Sequence, residues 1–399
     1  MHYDFPIIHH IDDVLLAIEG RDEFVVAERD GFKVVNYNVG YEDTFTIDVQ
    51  ETMKNHGFFI PKGLMRRECR GLIFYPDGRI MSRPFHKFFN VGEREETLLH
   101  NIDMSRDHAI VEKMDGSMIR PMMVNGKLRL GTKMGVTDTS IAAENYLHTR
   151  PDWAELSVWM EGAVKMGVTP LFEFIAPDNR IVIEYNDPDL VLLAIRHNES
   201  GNYLVEQNST PASLTRVPSY GAVDGSFEDY IARQRGKEGR EGDIIRFADG
   251  HMLKIKNDWY VRIHKVKDKI RSDRHVLALL LENDLDDVYP HLDENDFNRI
   301  KKYEADFHVA LHRKVVDIEF KARDAWLAAN FNKKELATKI LPKSYIARDD
   351  WPIVFRYADG IDDFYELVMG RVRKGLGNTA KYNELAHWLG LNEDDEENS

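Results

Sequence analysis

The six residues Glu112-Lys113-Met114-Asp115-Gly116-Ser117 set one lysine between two strand-like runs, Ala109-Ile110-Val111 before it and Met118 to Val124 after it. A lysine amine is protonated at neutral pH, with an ordinary pKa of about 10.4, and attacks an electrophile only where neighbouring cations or a metal lower that value. The chain must therefore bring other cations to Lys113. Lys254 and Lys256 meet that requirement: in His251-Met252-Leu253-Lys254-Ile255-Lys256 they alternate with apolar residues, so a strand aims both amines at one face. A phosphate held by them would lie beside the amine.

Further charged groups stand at the ends or in the middle of apolar runs. Leu171-Phe172-Glu173-Phe174-Ile175 carries an acid inside a strand, where burial without a cation, donor or metal is costly. Glu241 opens the strand Gly242-Asp243-Ile244-Ile245-Arg246-Phe247. Arg70-Gly71 precedes Leu72 to Tyr75, Lys87 falls in Phe85-His86-Lys87-Phe88-Phe89-Asn90, and Lys133 ends Leu128-Arg129-Leu130-Gly131-Thr132. Taken singly, each of these cations reads as a solvated strand end. Tyr37 and Tyr260 read equally as packing residues, and Asp286-Asp287 as a helix start or cap. His9-His10 lacks metal-ligand spacing with the one cysteine, and no P-loop, dinucleotide fingerprint or zinc pattern occurs.

Taken in order, these segments resemble the covalent nucleotidyltransferases, the superfamily of ATP-dependent ligases and capping enzymes, and within it the bacteriophage T4 RNA ligase 1-like RNA ligases. Lys113-Met114-Asp115-Gly116 is similar to the nucleotidyl-lysine motif, Phe172-Glu173-Phe174 to a family strand, and Lys254 to Tyr260 to the last nucleotidyltransferase motif. The resemblance implies that Lys113 attacks the α-phosphate of ATP, and that Lys254 and Lys256 clamp that phosphate. It implies that Arg70 and Lys87 hold the β- and γ-phosphates, with Tyr37 and Lys133 near the nucleotide. Glu173, Glu241 and Asp286 would hold Mg²⁺ (or Mn²⁺), and Tyr260 would bind substrate. Asp243 departs from the family pattern, which has an aromatic or aliphatic residue after Glu-Gly. The implied partners are RNA, as nicked tRNA or single-stranded ends in anticodon-loop repair, and an end-healing kinase/phosphatase. The rival readings are a DNA ligase, a capping enzyme, and a non-catalytic phage assembly or RNA-binding protein.

The elements that must position these residues follow from turns and periodicity. Asp30-Gly31, Asp77-Gly78, Asn125-Gly126 and Asp249-Gly250 separate short apolar runs, which implies an antiparallel sheet core. Residues 1–23 read as an amphipathic helix, and 137–166 have helical spacing. Beyond about 268 the strand signals stop, and Phe297, Ile300, Phe307, Leu311, Val315, Ile318 and Trp326 recur at three- and four-residue steps. The expected class is α+β: an adenylyltransferase domain over 1–268, a helical domain over 269–390, and an acidic tail over 391–399. The absence of a strand-rich stretch after 268 counts against the OB-fold of DNA ligases and capping enzymes.

Bulk properties narrow the choice. With 53 Lys and Arg against 68 Asp and Glu, the net charge of −15 excludes a protein that coats nucleic acid passively, so any nucleic-acid site is local. One cysteine, Cys69, excludes an internal disulfide framework and fits a reducing cytosol. The apolar run Val14 to Ile18 is far shorter than a membrane span. The expectation is a cytoplasmic protein, in the host cytoplasm if phage-encoded, with no membrane partner.

Overall fold

The computed structural model describes residues 5–204 and 210–391 of the chain, so the acidic tail expected at its end lies outside the described residues. The chain divides into two compact units, Met1–Arg262 and Ile263–Ser399. The division falls inside the helix Asp258–Lys269, a few residues before the change of texture near 268, because a helix carries the chain across it.

The first unit is built on antiparallel sheets. Phe24–Arg29 and Phe32–Tyr37 form a hairpin about Asp30-Gly31, with Gly31 at φ +83°, and Leu72–Phe74 and Ile80–Ser82 extend it to four strands. A second sheet runs Lys127–Gly131, Ser117–Val124, Val168–Ile175, Asp189–His197 and Tyr203–Leu204. A third runs Ser219–Gly221, His108–Lys113, Gly242–Phe247, Met252–Lys256 and Phe89–Asn90, the last pair being parallel. The chain passes from the third sheet to the second through Met114, Asp115 and Gly116 alone.

Alternation along the strands decides what each face does. Phe172 and Phe174 pack under the helices Asp138–Thr149 and Trp153–Lys165, against Ala143, Leu147, Leu156 and Met160. Ile245, Phe247, Leu253 and Ile255 pack against Phe227 and Ile231 of the helix Phe227–Arg235. The residues between them, Glu173 on one sheet and Ile244, Lys254 and Lys256 on the other, are left to line a cleft between the two sheets.

The helical periodicity at 137–166 breaks into two helices at Pro151, with Thr137 capping the first through Ser140 N–H. The helix expected over 1–23 is confined to Asp12–Ile18. The residues just before it are extended instead, because Ile8 N–H bonds Glu199 O, Ile80 N–H bonds His9 O and His10 bridges to Arg79.

Behind the cleft a buried ionic cluster joins the first sheet to the second. Glu68, 1% exposed, receives Arg83 Nε at 2.9 Å and Arg196 Nη2 at 2.9 Å. Burial alone would raise its carboxyl, but the two guanidinium groups outweigh it and draw the value down to about 2.

The second unit is helical throughout its described residues, organised on the 35-residue helix Glu294–Ala328. Phe307, Leu311, Ile318 and Ala325 of that helix pack against Val354, Val368, Val372 and Leu385 of later helices. Among the described residues, no helix is long and apolar enough to cross a membrane.

Glu68→Gln leaves two buried guanidinium groups without their carboxylate and is expected to cost about 3 kcal/mol or more at pH 7, read from the urea midpoint. Glu68 is depressed in the folded state, so its contribution is full above the ordinary carboxylate pKa and is lost as pH falls towards 2. The gap between the two proteins must therefore narrow in acid. A gap that is absent at pH 7, or that widens in acid, contradicts this role.

Candidate active site

Lys113 is the last residue of its strand and pairs with Gly242, which pairs on its other side with Lys256. The two lysines thus flank a residue with no side chain. The space demands it, since a Cβ on Gly242 would lie 2.0 Å from the carbonyl oxygen of Ile255. Glu241, 3% exposed, reaches both amines: its Oε2 accepts from Lys113 Nζ at 2.7 Å, and its Oε1 lies 3.0 Å from Lys256 Nζ. One buried carboxylate therefore sets the position of two ammonium groups.

The turn after Lys113 is held as tightly. Asp115, 2% exposed, accepts the N–H groups of Val182 at 2.8 Å and Ile183 at 2.7 Å on Oδ2, and the Tyr260 hydroxyl at 2.6 Å on Oδ1. Its own N–H donates to the Tyr185 hydroxyl at 3.2 Å. Gly116 N–H donates to Glu173 Oε1 at 3.1 Å, and a Cβ on Gly116 would meet the Phe174 carbonyl oxygen at 2.4 Å. The aspartate and glycine of the motif are thereby explained: one ties the turn to the interior, the other lets it pass against a strand.

The cleft in front of Lys113 has a volume of about 320 Å³. Arg70, Lys87, Lys113, Lys254 and Lys256 line it, with Tyr37, Glu173 and an apolar wall that includes Phe85, Phe88, Met118, Leu193 and Ile244. Arg70, Lys87 and Lys254 form no ion pair with a carboxylate among the described residues. Lys87 Nζ instead sits 5.8, 5.5 and 5.3 Å from the ring centres of Tyr37, Phe45 and Phe89. Burial, reinforced by repulsion from Lys87, brings the Lys254 ammonium down to about 7. Burial likewise pushes the Glu173 carboxyl up to about 7, against the pull of Lys113. A cleft where Arg70, Lys87, Arg246 and Lys254 have no carboxylate partner among the described residues, and where burial holds the Glu173 carboxyl up at about 7, is built for an added anion, and a triphosphate fits its charge.

The structure brings together Tyr37, Arg70, Lys87, Lys113, Glu173, Lys254 and Lys256 at the cleft, with Glu241 beneath the amines. Lys133 is exposed and does not line it; its backbone packs on Gly71, whose Cβ would lie 2.5 Å from Lys133 O. Tyr260 is 2% exposed, with its hydroxyl occupied by Asp115. Asp286 is exposed on the short helix Leu285–Val288 of the second unit. Among the described residues no three His, Cys, Asp or Glu cluster as a metal cage. The donors present suit Mg²⁺, which keeps much of its water and is shared with phosphates: Glu173 has one backbone donor, whereas both Glu241 oxygens already meet lysines.

Asp243, the departure noted in the sequence, faces away from the cleft. It pairs with Glu112 across the ladder, and Arg240, 2.5 Å from Asp243 and 3.7 Å from Glu112, balances the two charges with the hydroxyl of Tyr230. Sequence reasoning missed Tyr185 and Arg246. Nothing local marks Tyr185, but strand alternation puts Arg246 on the same face as Ile244.

Residues 68–260 match the family model described as RNA ligase. A Thermovibrio ammonificans protein whose name assigns it provisionally to the RNA ligases is 28% identical over 339 residues, 81% of this chain and 84% of its own. RNA ligase 1 of bacteriophage TS2126 is 27% identical over 49% of this chain, which spans about half (51%) of that relative. An RNA ligase of Rhodothermus phage RM378 is 23% identical over 57% of this chain and 66% of its own. Among solved structures, an archaeal ATP-dependent RNA ligase aligns over 73% of this chain and 74% of its own at 15% identity, with a TM-score of 0.41.

Because the folded state holds Glu173 raised, it binds more protons than the unfolded chain between the ordinary carboxylate pKa and about 7, so this group lowers stability as pH rises through that window. Glu173→Gln removes that titration. The variant is expected to gain stability on the parent from pH 4.5 to pH 7 and to hold the gain at pH 8, measured by urea melts in the absence of nucleotide. Equal stabilities at pH 8 would show that the carboxyl is not strained by its surroundings.

Proposed function

The chain belongs, through residues 68–260, to the bacteriophage T4 RNA ligase 1-like family, and from that premise we propose that it is an ATP-dependent RNA ligase working through a lysine-bound AMP. The observation that carries the proposal is the Lys113–Glu241–Lys256 bridge at the mouth of a cleft whose other cations lack counter-ions. The match of residues 68–260 to the RNA ligase family model favours an RNA ligase over a DNA ligase or capping enzyme.

In the first step Lys113 Nζ, having lost a proton, forms a bond to the α-phosphorus of ATP. The bond from that phosphorus to the bridging oxygen breaks, and pyrophosphate leaves with its electron pair. An oxygen of an RNA 5′-phosphate then displaces Lys113 from the phosphorus, and the amine takes up a proton again. A 3′-hydroxyl attacks the activated 5′-phosphate, sealing the strand and releasing AMP.

Each transition state is rich in negative charge, so fixed cations supply most of the stabilisation. Lys254 and Lys256 act on the α-phosphate, and Arg70 and Lys87 on the β- and γ-phosphates, with Tyr37 beside them. Glu241 orients Lys113 and Lys256. Tyr260, spent on Asp115, is a positioning residue for the lysine turn and not a contact for RNA. A divalent cation such as Mg²⁺, held by Glu173 and the phosphates, would neutralise charge on the phosphoryl oxygens. For Lys133, for Asp286 as a metal ligand, for broken tRNA as substrate, for an end-healing kinase/phosphatase as partner and for a cytoplasmic location, the support is the family resemblance alone.

With α-labelled ATP and Mg²⁺ the protein is expected to become covalently labelled, Lys113→Ala to take no label, and Lys254→Met to label roughly 100-fold more slowly. Full labelling of Lys113→Ala would overturn the assignment.

A further inference from the structure

The cleft wall holds an arginine that the three phosphoryl steps leave without a task. Arg246 lies on the strand Gly242–Phe247, four residues beyond Gly242 and on the face of Ile244. At 3.4 Å per residue it is about 14 Å along the strand from the residue that pairs with Lys113. It lines the cleft, yet no carboxylate pairs with it among the described residues. Its Nη1 donates to the Leu193 carbonyl at 2.7 Å, its Nε is sealed from solvent with no acceptor, and its Nη2 makes no hydrogen bond among the described residues. Burial draws the guanidinium down to about 10. Its charge lies 5.9 Å from the Phe85 ring centre.

Leu193 is also unusual. Leu171 pairs with Ala194 and Phe172 with Leu192, so Leu193 is the extra residue of a bulge with no partner opposite. The bulge turns its carbonyl to Arg246 across the cleft. An unpaired guanidinium among apolar side chains is costly, and a ligand that accepts its hydrogen bond offsets the cost. Lys113 and Lys256 flank Gly242 at the other end of the strand and Lys254 stands opposite Ile244, so the phosphates belong with the lysines and the occupant beside Arg246, Phe85 and Leu193 is flat, largely apolar and a neutral acceptor. A nucleobase has that chemistry.

Resting on the reading of the cleft as a nucleotide site, we infer that Arg246 reads the base of ATP: Nη2 donates to a ring nitrogen of adenine while the Leu193 carbonyl, fixed by Nη1, accepts from the 6-amino group. A 6-oxo purine sets its oxygen against that carbonyl and is rejected, since two acceptors then face each other.

The test measures labelling of Lys113 at subsaturating nucleotide with ATP, 1-deaza-ATP, 7-deaza-ATP and inosine triphosphate, on the full chain and on Arg246→Met. The unmodified chain is expected to lose about tenfold with one of the two deaza analogues and at least as much with inosine triphosphate. Arg246→Met should fall to the analogue's rate with ATP and show no further penalty with the analogue. Arg246→Leu, which also lacks a donor, gives the same readout if the methionine variant does not fold. Equal use of both deaza analogues by the unmodified chain, or a full penalty retained in the variant, overturns the part assigned to Arg246. Failure of the unmodified chain to take label from ATP at all overturns the reading of the cleft beneath it.

Discussion

The site depends on a buried carboxylate that touches no ligand. Asp115 fixes the chain where it leaves one sheet for the other, and its two oxygens take three donors from segments far apart in sequence: Val182 and Ile183 beyond the second sheet's third strand, and Tyr260 after the third sheet's lysine strand. An ionised carboxylate without such donors would cost several kcal/mol in the interior, and hydrogen bonds to a charged group are worth about 1.5–3 kcal/mol each. Lys113, two residues away, therefore has no freedom to leave the cleft. Asp115 fixes the backbone beside it, and Glu241 holds its amine.

That constraint gives the charge distribution its meaning. The chain is acidic overall, yet among the described residues Arg70, Lys87 and Lys254 form no ion pair in the cleft, and Glu241 is shared between two amines. Such a concentration of cations in a partly buried cleft raises the free energy of the protein without ligand, and an anionic substrate relieves it. The site is thus preorganised against repulsion that it bears when empty, as a catalyst of phosphoryl transfer requires. The Glu68 cluster behind it shows the opposite arrangement: there two guanidinium groups have their carboxylate, and the result is structural rigidity.

Much of this was legible in the sequence. The α+β class, the hairpin about Gly31, the helical character of 137–166 and the helical second unit follow from turn chemistry and periodicity, which are local signals. The alternation of Lys254 and Lys256 with Leu253 and Ile255 put both amines on the cleft face, with the apolar pair on the helix Phe227–Arg235. What was not legible depends on long-range contact. The first residues looked helical but are drawn into extended pairing with the distant segments around Arg79 and Glu199. Tyr260 looked like a substrate contact, whereas its hydroxyl is used 145 residues back in the chain, on Asp115. The bulge at Leu193 appears only when Val168–Ile175 pairs with Asp189–His197, and the surroundings of Arg246 only when two sheets face each other.

The most direct measurement is the chemical position of the adduct. After the full chain is incubated with ATP and Mg²⁺ and digested, mass spectrometry should find one AMP, joined through nitrogen, on the peptide containing Lys113. An adduct on Lys254 or Lys256, or ATP consumed with no adduct on any lysine, would contradict the central claim that the turn held by Asp115 presents the nucleophile.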